Sequence, residues 1–87
     1  MSVFMVERDL KGISMEALGG AQKAAIGKAK EMTDAGTKIR YIRSTFAPED
    51  GRCMCLFEAA SDAAVKKLND DAGLPYSQIV RALDLTP

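Results

Sequence analysis

The chain has 87 residues, of which 47% are hydrophobic and 28% charged, as is usual for a globular protein. Twelve basic residues balance twelve acidic ones, so no basic field exists to attract nucleic acid or an anionic membrane surface. Charged residues begin at Glu7, too early for a signal peptide, and no apolar run approaches membrane-spanning length. We therefore expect a single cytoplasmic domain over residues 1–87, with no nucleic-acid or membrane partner.

Four runs rich in apolar, β-branched and aromatic residues predict strands. They cover residues 2–8, 37–47, 52–59 and 77–85. The second and third runs are separated by the turn sequence PEDG at 48–51, so they are expected to form a hairpin.

Two helices are predicted between these strands. Ser14 and Ser61 are suitable N-caps, while Gly36 and Gly73 supply the residues at which the helices end. The first helix carries an apolar stripe at helical spacing, formed by Met15, Leu18, Ala25, Ala29 and Met32.

The resulting order predicts an α+β fold, the ferredoxin-like β-α-β-β-α-β sandwich, because right-handed crossovers and short connections favour it. A four-stranded antiparallel sheet then carries two helices on one face, as in dimeric α/β barrels. The other face of the sheet is expected to be open.

Alternation along the strands assigns side chains to these two faces. A carboxylate is costly beneath a helix, so Glu58 is expected on the open face, with Cys53, Cys55 and Phe57 in the core. The same reasoning places Phe4, Val6, Ile42 and Phe46 in the core. The open-face residues expected to line a ligand site are Met5, Glu7, Tyr41, Arg43, Thr45 and Glu58.

This face is too apolar to remain in water and too charged to be a simple core. We expect a homodimer formed through the open sheet face, with a small-ligand pocket between the two sheets. Arg43 would orient a small anionic or polar ligand. In the alternative interpretation, Arg43 pairs with Glu7 or Glu58 inside the interface.

Cys53 and Cys55 do not predict a metal or redox site. Structural zinc needs four nitrogen or sulfur ligands, and the chain has two cysteines and no histidine. A bridge between alternate residues of a strand lies at the long end of disulfide geometry, so both are expected to be reduced and packed. Without histidine, the commonest general base is missing, and no residue is assigned a catalytic or metal-ligating role.

Four stretches together resemble a family of small ferredoxin-like bacterial proteins of unknown function that includes a nickel-binding dimer. They are FMVERDL at 4–10, RYIRST at 40–45, CLFEA at 55–59 and AGLP at 72–75. The resemblance implies the same fold and a dimer packed through its sheets. It also places Glu7 and Glu58 at acidic positions typical of the family.

The chain departs from this family at two positions. Many members have HSY where this chain reads RST, so Arg43 stands at a family histidine, and a second histidine falls at Leu68. Arginine cannot ligate nickel. A binding or structural module without a cofactor is therefore favoured over an enzyme. The alternatives are nickel binding through Glu7, Glu58 and Cys55, and a cofactor-free monooxygenase- or isomerase-like enzyme, by analogy of fold.

Overall fold

The computed structural model describes all residues, Met1–Pro87. Its elements are β1 (Ser2–Asp9), α1 (Met15–Asp34), β2 (Ile39–Ala47), β3 (Arg52–Ala59), α2 (Asp62–Asp71) and β4 (Gln78–Ala82). The sheet order is β2-β3-β1-β4 and all neighbouring strands are antiparallel. The predicted ferredoxin-like fold is therefore confirmed, with a fourth strand shorter than expected. Neither helix has the length and apolarity needed to cross a membrane.

Both helices begin at the predicted serines. Ser14 Oγ accepts a hydrogen bond from the Ala17 amide at 3.0 Å, and Ser61 Oγ accepts one from the Ala64 amide at 3.3 Å. Each hydroxyl thus satisfies an amide that has no partner within the helix. On α1, Met15 lies in the first turn and is 74% exposed, so the buried part of the apolar stripe excludes it.

The core lies between the helices and one face of the sheet. It centres on the fully buried side chains of Val6, Phe57, Val65 and Leu68. Both cysteines are also buried in this layer, as alternation along β3 predicted.

The prediction that Tyr41 lies on the open face is wrong, because β2 contains a bulge. Tyr41 is opposite Phe57 on β3, but Arg43 is opposite the adjacent Leu56, so Ile42 is an extra residue. The extra residue shifts the alternation by one. Tyr41 therefore lies on the helix-covered face, where its ring packs edge-on against Phe57 with centroids 5.5 Å apart. The inward placement of Ile42 is likewise replaced by a position in the bulge.

The turn between β2 and β3 packs closely against the segment that follows β1. Gly51 has a φ of +78°, and a Cβ built on it would lie 2.4 Å from both Cα and N of Lys11. The Gly51 carbonyl accepts a hydrogen bond from the Leu10 amide at 2.8 Å. This position requires glycine both for its conformation and for the close approach of two backbones.

Substitution of Gly51 by alanine tests this contact against Gly12, which has a φ of +83° but open space around it. We expect Gly12→Ala to lower the free energy of unfolding by about 1 kcal/mol, the cost of the left-handed conformation alone. Gly51→Ala should lower it by about 3 kcal/mol or more, because the backbone clash is added. Urea denaturation measures both. Equal losses would show that Lys11 moves aside without cost.

Candidate functional site

The open face of the sheet carries five of the six predicted ligand-site residues, Met5, Glu7, Arg43, Thr45 and Glu58. The two carboxylates do not meet. Glu7 is opposite Met54, whereas Glu58 is opposite Val3, so the two positions are four residues apart along the strands, about 13 Å. The open face of a single chain therefore does not gather these groups into one site.

The three charged residues of the predicted ligand site, Glu7, Arg43 and Glu58, have partners other than one another. Arg43 Nη1 lies 2.7 Å from Asp84 Oδ1, and Arg40 Nε lies 3.4 Å from Glu58 Oε1. Glu7 accepts a hydrogen bond from the Gln78 side-chain amide. Within one chain, Arg43 therefore pairs with neither Glu7 nor Glu58.

The Arg43–Asp84 pair reveals the path of the C-terminal segment. Arg43 lies on β2 at one edge of the sheet, while Asp84 follows β4 at the other edge, about 14 Å away across three strand spacings. Residues 83–84 must therefore turn back over the open face. The Asp84 side chain is only 19% exposed there, whereas Leu83 and Leu85 on either side are more than 80% exposed.

A cavity of about 150 Å³ lies on the opposite side of the sheet, beneath α1. Its walls are mostly apolar and come from α1, from the strands β1, β2 and β3, and from the segments after β1 and α2. The apolar wall residues are Leu10, Leu18, Ala21, Ala25, Phe46 and Leu74. Such a lining, interrupted by a few polar groups, is typical of small-molecule sites.

A chain of hydrogen bonds runs along this cavity from the protein surface inward. Gln22 on α1 donates to Tyr41 Oη at 3.1 Å, and Tyr41 Oη lies 2.6 Å from Ser44 Oγ. Ser44 Oγ donates to Cys55 Sγ at 2.9 Å. Because the single Ser44 hydroxyl proton is used there, Tyr41 must donate to Ser44. This series of hydrogen bonds ends at Arg8, whose Nε donates to the same sulfur at 3.4 Å.

Arg8 is the one charged residue in the cavity lining, and it is only 6% exposed. Its Nη1 donates to the Pro75 carbonyl at 3.1 Å, and it makes no ion pair. Arg8 is not among the site residues predicted from the sequence. A signal was present, because Arg8 continues the alternation of Phe4 and Val6, the two core residues of β1.

The two thiols in the cavity wall are free, and their sulfur atoms are 3.8 Å apart. Burial, followed by the neighbouring Cys55, raises the pKa of Cys53 to about 11. Cys53 is therefore a neutral thiol at physiological pH and does not act as a thiolate nucleophile there.

The chain matches a known protein family and a solved structure. A family model described as "Nickel responsive protein SCO4226-like" matches residues 4–81. The chain belongs to this family. The crystal structure of SCO4226 from Streptomyces coelicolor A3(2) superposes with a TM-score of 0.80, at 23% identity, and covers 98% of this chain and 100% of that one. At this identity, the match to SCO4226 shows a shared fold. No protein with a curated description matches the chain.

Within a single chain, the donor atoms of this SCO4226-like protein do not form a nickel site. The chain has no histidine, and no three side chains among Cys, Asp and Glu are close enough together to hold an ion. The two positions where the resemblance implies histidines lie on opposite sides of the sheet. Arg43 is paired on the open face, and Leu68 is fully buried on α2. A guanidinium already contacts Cys55, the remaining soft ligand.

The raised pKa of Cys53 predicts a loss of stability in alkali. The Cys53 thiol loses its proton near pH 9.0 in the unfolded chain and near pH 11 in the folded chain. Its contribution to the free energy of unfolding is therefore complete below pH 9 and is lost as pH rises through this interval. We expect the urea midpoint to fall more steeply between pH 9 and 11 for the wild type than for Cys53→Ala. Parallel profiles for the two proteins would contradict this assignment.

Proposed function

We propose that this SCO4226-like protein binds a small molecule in the cavity between α1 and the sheet. The observation that carries the proposal is the combination of an apolar cavity of about 150 Å³ with a single buried charged group, Arg8, in its wall. A cavity of about this volume accommodates a molecule the size of benzene. The ligand site is thus on the helix-covered face and within one chain.

The chemistry of the cavity favours binding over catalysis. Its lining contains neither a carboxylate nor a histidine, the usual general bases. The raised pKa of Cys53 keeps that thiol protonated. The hydroxyls of Tyr41 and Ser44 hydrogen-bond to each other and have no base beside them. These features support a binding protein and give no support to the monooxygenase- or isomerase-like alternative.

Nickel is the ligand that the family description suggests, and we do not assign it to the single chain. A nickel site built from this sequence would need carboxylates from two copies, because Glu7 and Glu58 lie about 13 Å apart in one. Both already have hydrogen-bonding partners.

Filling the cavity tests the proposal. Ala21 lines it, whereas Ala24 is exposed on the same helix and does not. A panel of benzene-sized neutral and anionic compounds should yield binders with Kd of about 1 mM or lower, detected by amide chemical-shift changes around Ser44 and Ala25. Ala21→Phe should abolish binding and Ala24→Phe should leave it intact. Binders that respond equally to both changes, or none at all, would overturn the proposal.

A second proposed property is a homodimer formed through the open sheet face. The apolar open-face residues, with the exposed Leu83 and Leu85, form a surface that water covers poorly. The chain exposes 5496 Å², whereas a compact monomer of 9.4 kDa exposes about 5,000 Å². A second copy packed sheet to sheet would bury part of this excess.

Sedimentation equilibrium tests the dimer. At micromolar concentration we expect twice the 9.4 kDa mass of one chain. Leu56→Asp places a charge on the open face and should raise the dimer dissociation constant at least tenfold, about 1.4 kcal/mol. Met15→Asp changes an exposed residue at the start of α1 and should have no effect. A monomer at these concentrations would refute the interface, while leaving the cavity proposal untouched.

A further inference from the structure

We infer that the ligand of this cavity is a small monocarboxylate whose carboxylate binds Arg8 and whose apolar body fills the space beneath α1. This inference rests on the proposed function, since it names the chemical class that the cavity accepts. It comes from the one charge in the structure that is both buried and without a counter-ion.

The buried charge of Arg8 has no carboxylate partner within the chain. Charged side chains are rarely buried unless they are paired, because removing an ion from water costs several kcal/mol. Arg8 is 6% exposed, its hydrogen-bond partners are the Cys55 sulfur and the Pro75 carbonyl oxygen, and it forms no ion pair with a carboxylate. A bound anion would supply the missing counter-charge.

Arg8 has N–H groups that donate to no acceptor within the chain. A guanidinium has five N–H groups, and Arg8 uses one for Cys55 and one for Pro75. Three remain, enough for a two-oxygen acceptor in the paired geometry that arginine forms with carboxylates. The hydroxyls of Tyr41 and Ser44 can turn about their C–O bonds to donate to the same ligand.

The number of positive charges in the cavity favours a carboxylate over a phosphate. Phosphate sites combine several cations or the amides of a helix N-terminus, which neutralise a charge near −2. This cavity contains one guanidinium and no lysine, and the α1 residues in its wall begin at Leu18, whose amide already donates to the Ser14 carbonyl, so no free helix amide is supplied by them. A single positive charge in an apolar enclosure matches one carboxylate.

The volume and the wall residues of the cavity limit the size and shape of the apolar part of the ligand. The volume is close to that which holds benzene, and the walls beyond Arg8 are leucine, alanine and phenylalanine side chains. An aromatic or branched aliphatic acid of about that bulk fits, such as benzoate or isovalerate. A long-chain fatty acid would exceed the space.

Matched pairs of probes test the inference on the unmodified protein. Calorimetric titration with benzoate and benzamide compares two ligands of nearly equal shape that differ in charge. Isovalerate and isovaleramide repeat the comparison with an aliphatic body. We expect each acid to bind at least tenfold more tightly than its amide, and inorganic phosphate not to compete with either acid.

Variants then locate the charge. Arg8→Gln should remove the preference for the acid and leave the amide affinity within about twofold. Arg43→Gln alters an arginine on the open face and should change neither. If Arg8→Gln does not fold, the nitrogen resonance of Arg8 Nε in the wild type reports the contact, because benzoate should shift it and benzamide should not.

The two proposals fail in different ways. Amides that bind as tightly as acids, with binding still abolished by Ala21→Phe, would overturn the carboxylate inference and retain the binding cavity. If phosphate binds at Arg8 more tightly than benzoate does, the carboxylate inference is overturned and the ligand is a phosphate. Absence of any binder would overturn both.

Discussion

The bulge in β2 is the constraint on which the cavity depends. In a regular strand, Tyr41 and Ser44 would point to opposite faces of the sheet, since they are three residues apart. The extra residue between Tyr41 and Arg43 brings both to the helix-covered side, where their oxygens are 2.6 Å apart. Ser44 then reaches Cys55, and through that sulfur the polar chain is joined to Arg8. One additional residue in a strand thus brings together the polar wall residues of the cavity from three strands.

The architecture could be predicted from the sequence because its signals are local. Ser14 and Ser61 cap the helices as expected, and alternation along β1 and β3 assigns Phe4, Val6 and the cysteines to the core. These predictions need only the two-residue repeat of strands and the capping preferences of serine.

The candidate site could not be predicted to the same extent, because it depends on relations between distant residues. Nothing in the letters YIRST marks Ile42 as a bulge residue, so Tyr41 was assigned to the wrong face. The Arg43–Asp84 pair depends on the path of a segment beyond the last strand, which residue type does not specify. For Arg8, the sequence contains part of the information needed. Its position in the alternation indicates burial, but its charge argues for exposure, and only the cavity beside it reconciles the two.

Family membership and the residues of this chain lead to different expectations about metal. The family is described by its response to nickel, whereas this chain brings an arginine and two thiols together with no imidazole. Nickel and a guanidinium are both cationic, but they select different ligands. A metal gathers donor atoms around itself, whereas a guanidinium donates hydrogen bonds outward to an acceptor. The recognition proposed for this chain is of the second kind, because Arg8 would donate hydrogen bonds to a carboxylate.

The hydrogen bond between Gln22 and Tyr41 has a consequence for the wall of the cavity. It joins α1 to β2 where the polar chain reaches the surface, and Gln22 itself is exposed. Exposed side chains change rotamer within picoseconds to nanoseconds, so this contact opens without separating the helix from the sheet. Rearrangement of this contact would therefore alter the wall of the cavity at Gln22 and Tyr41 without any unfolding of the core.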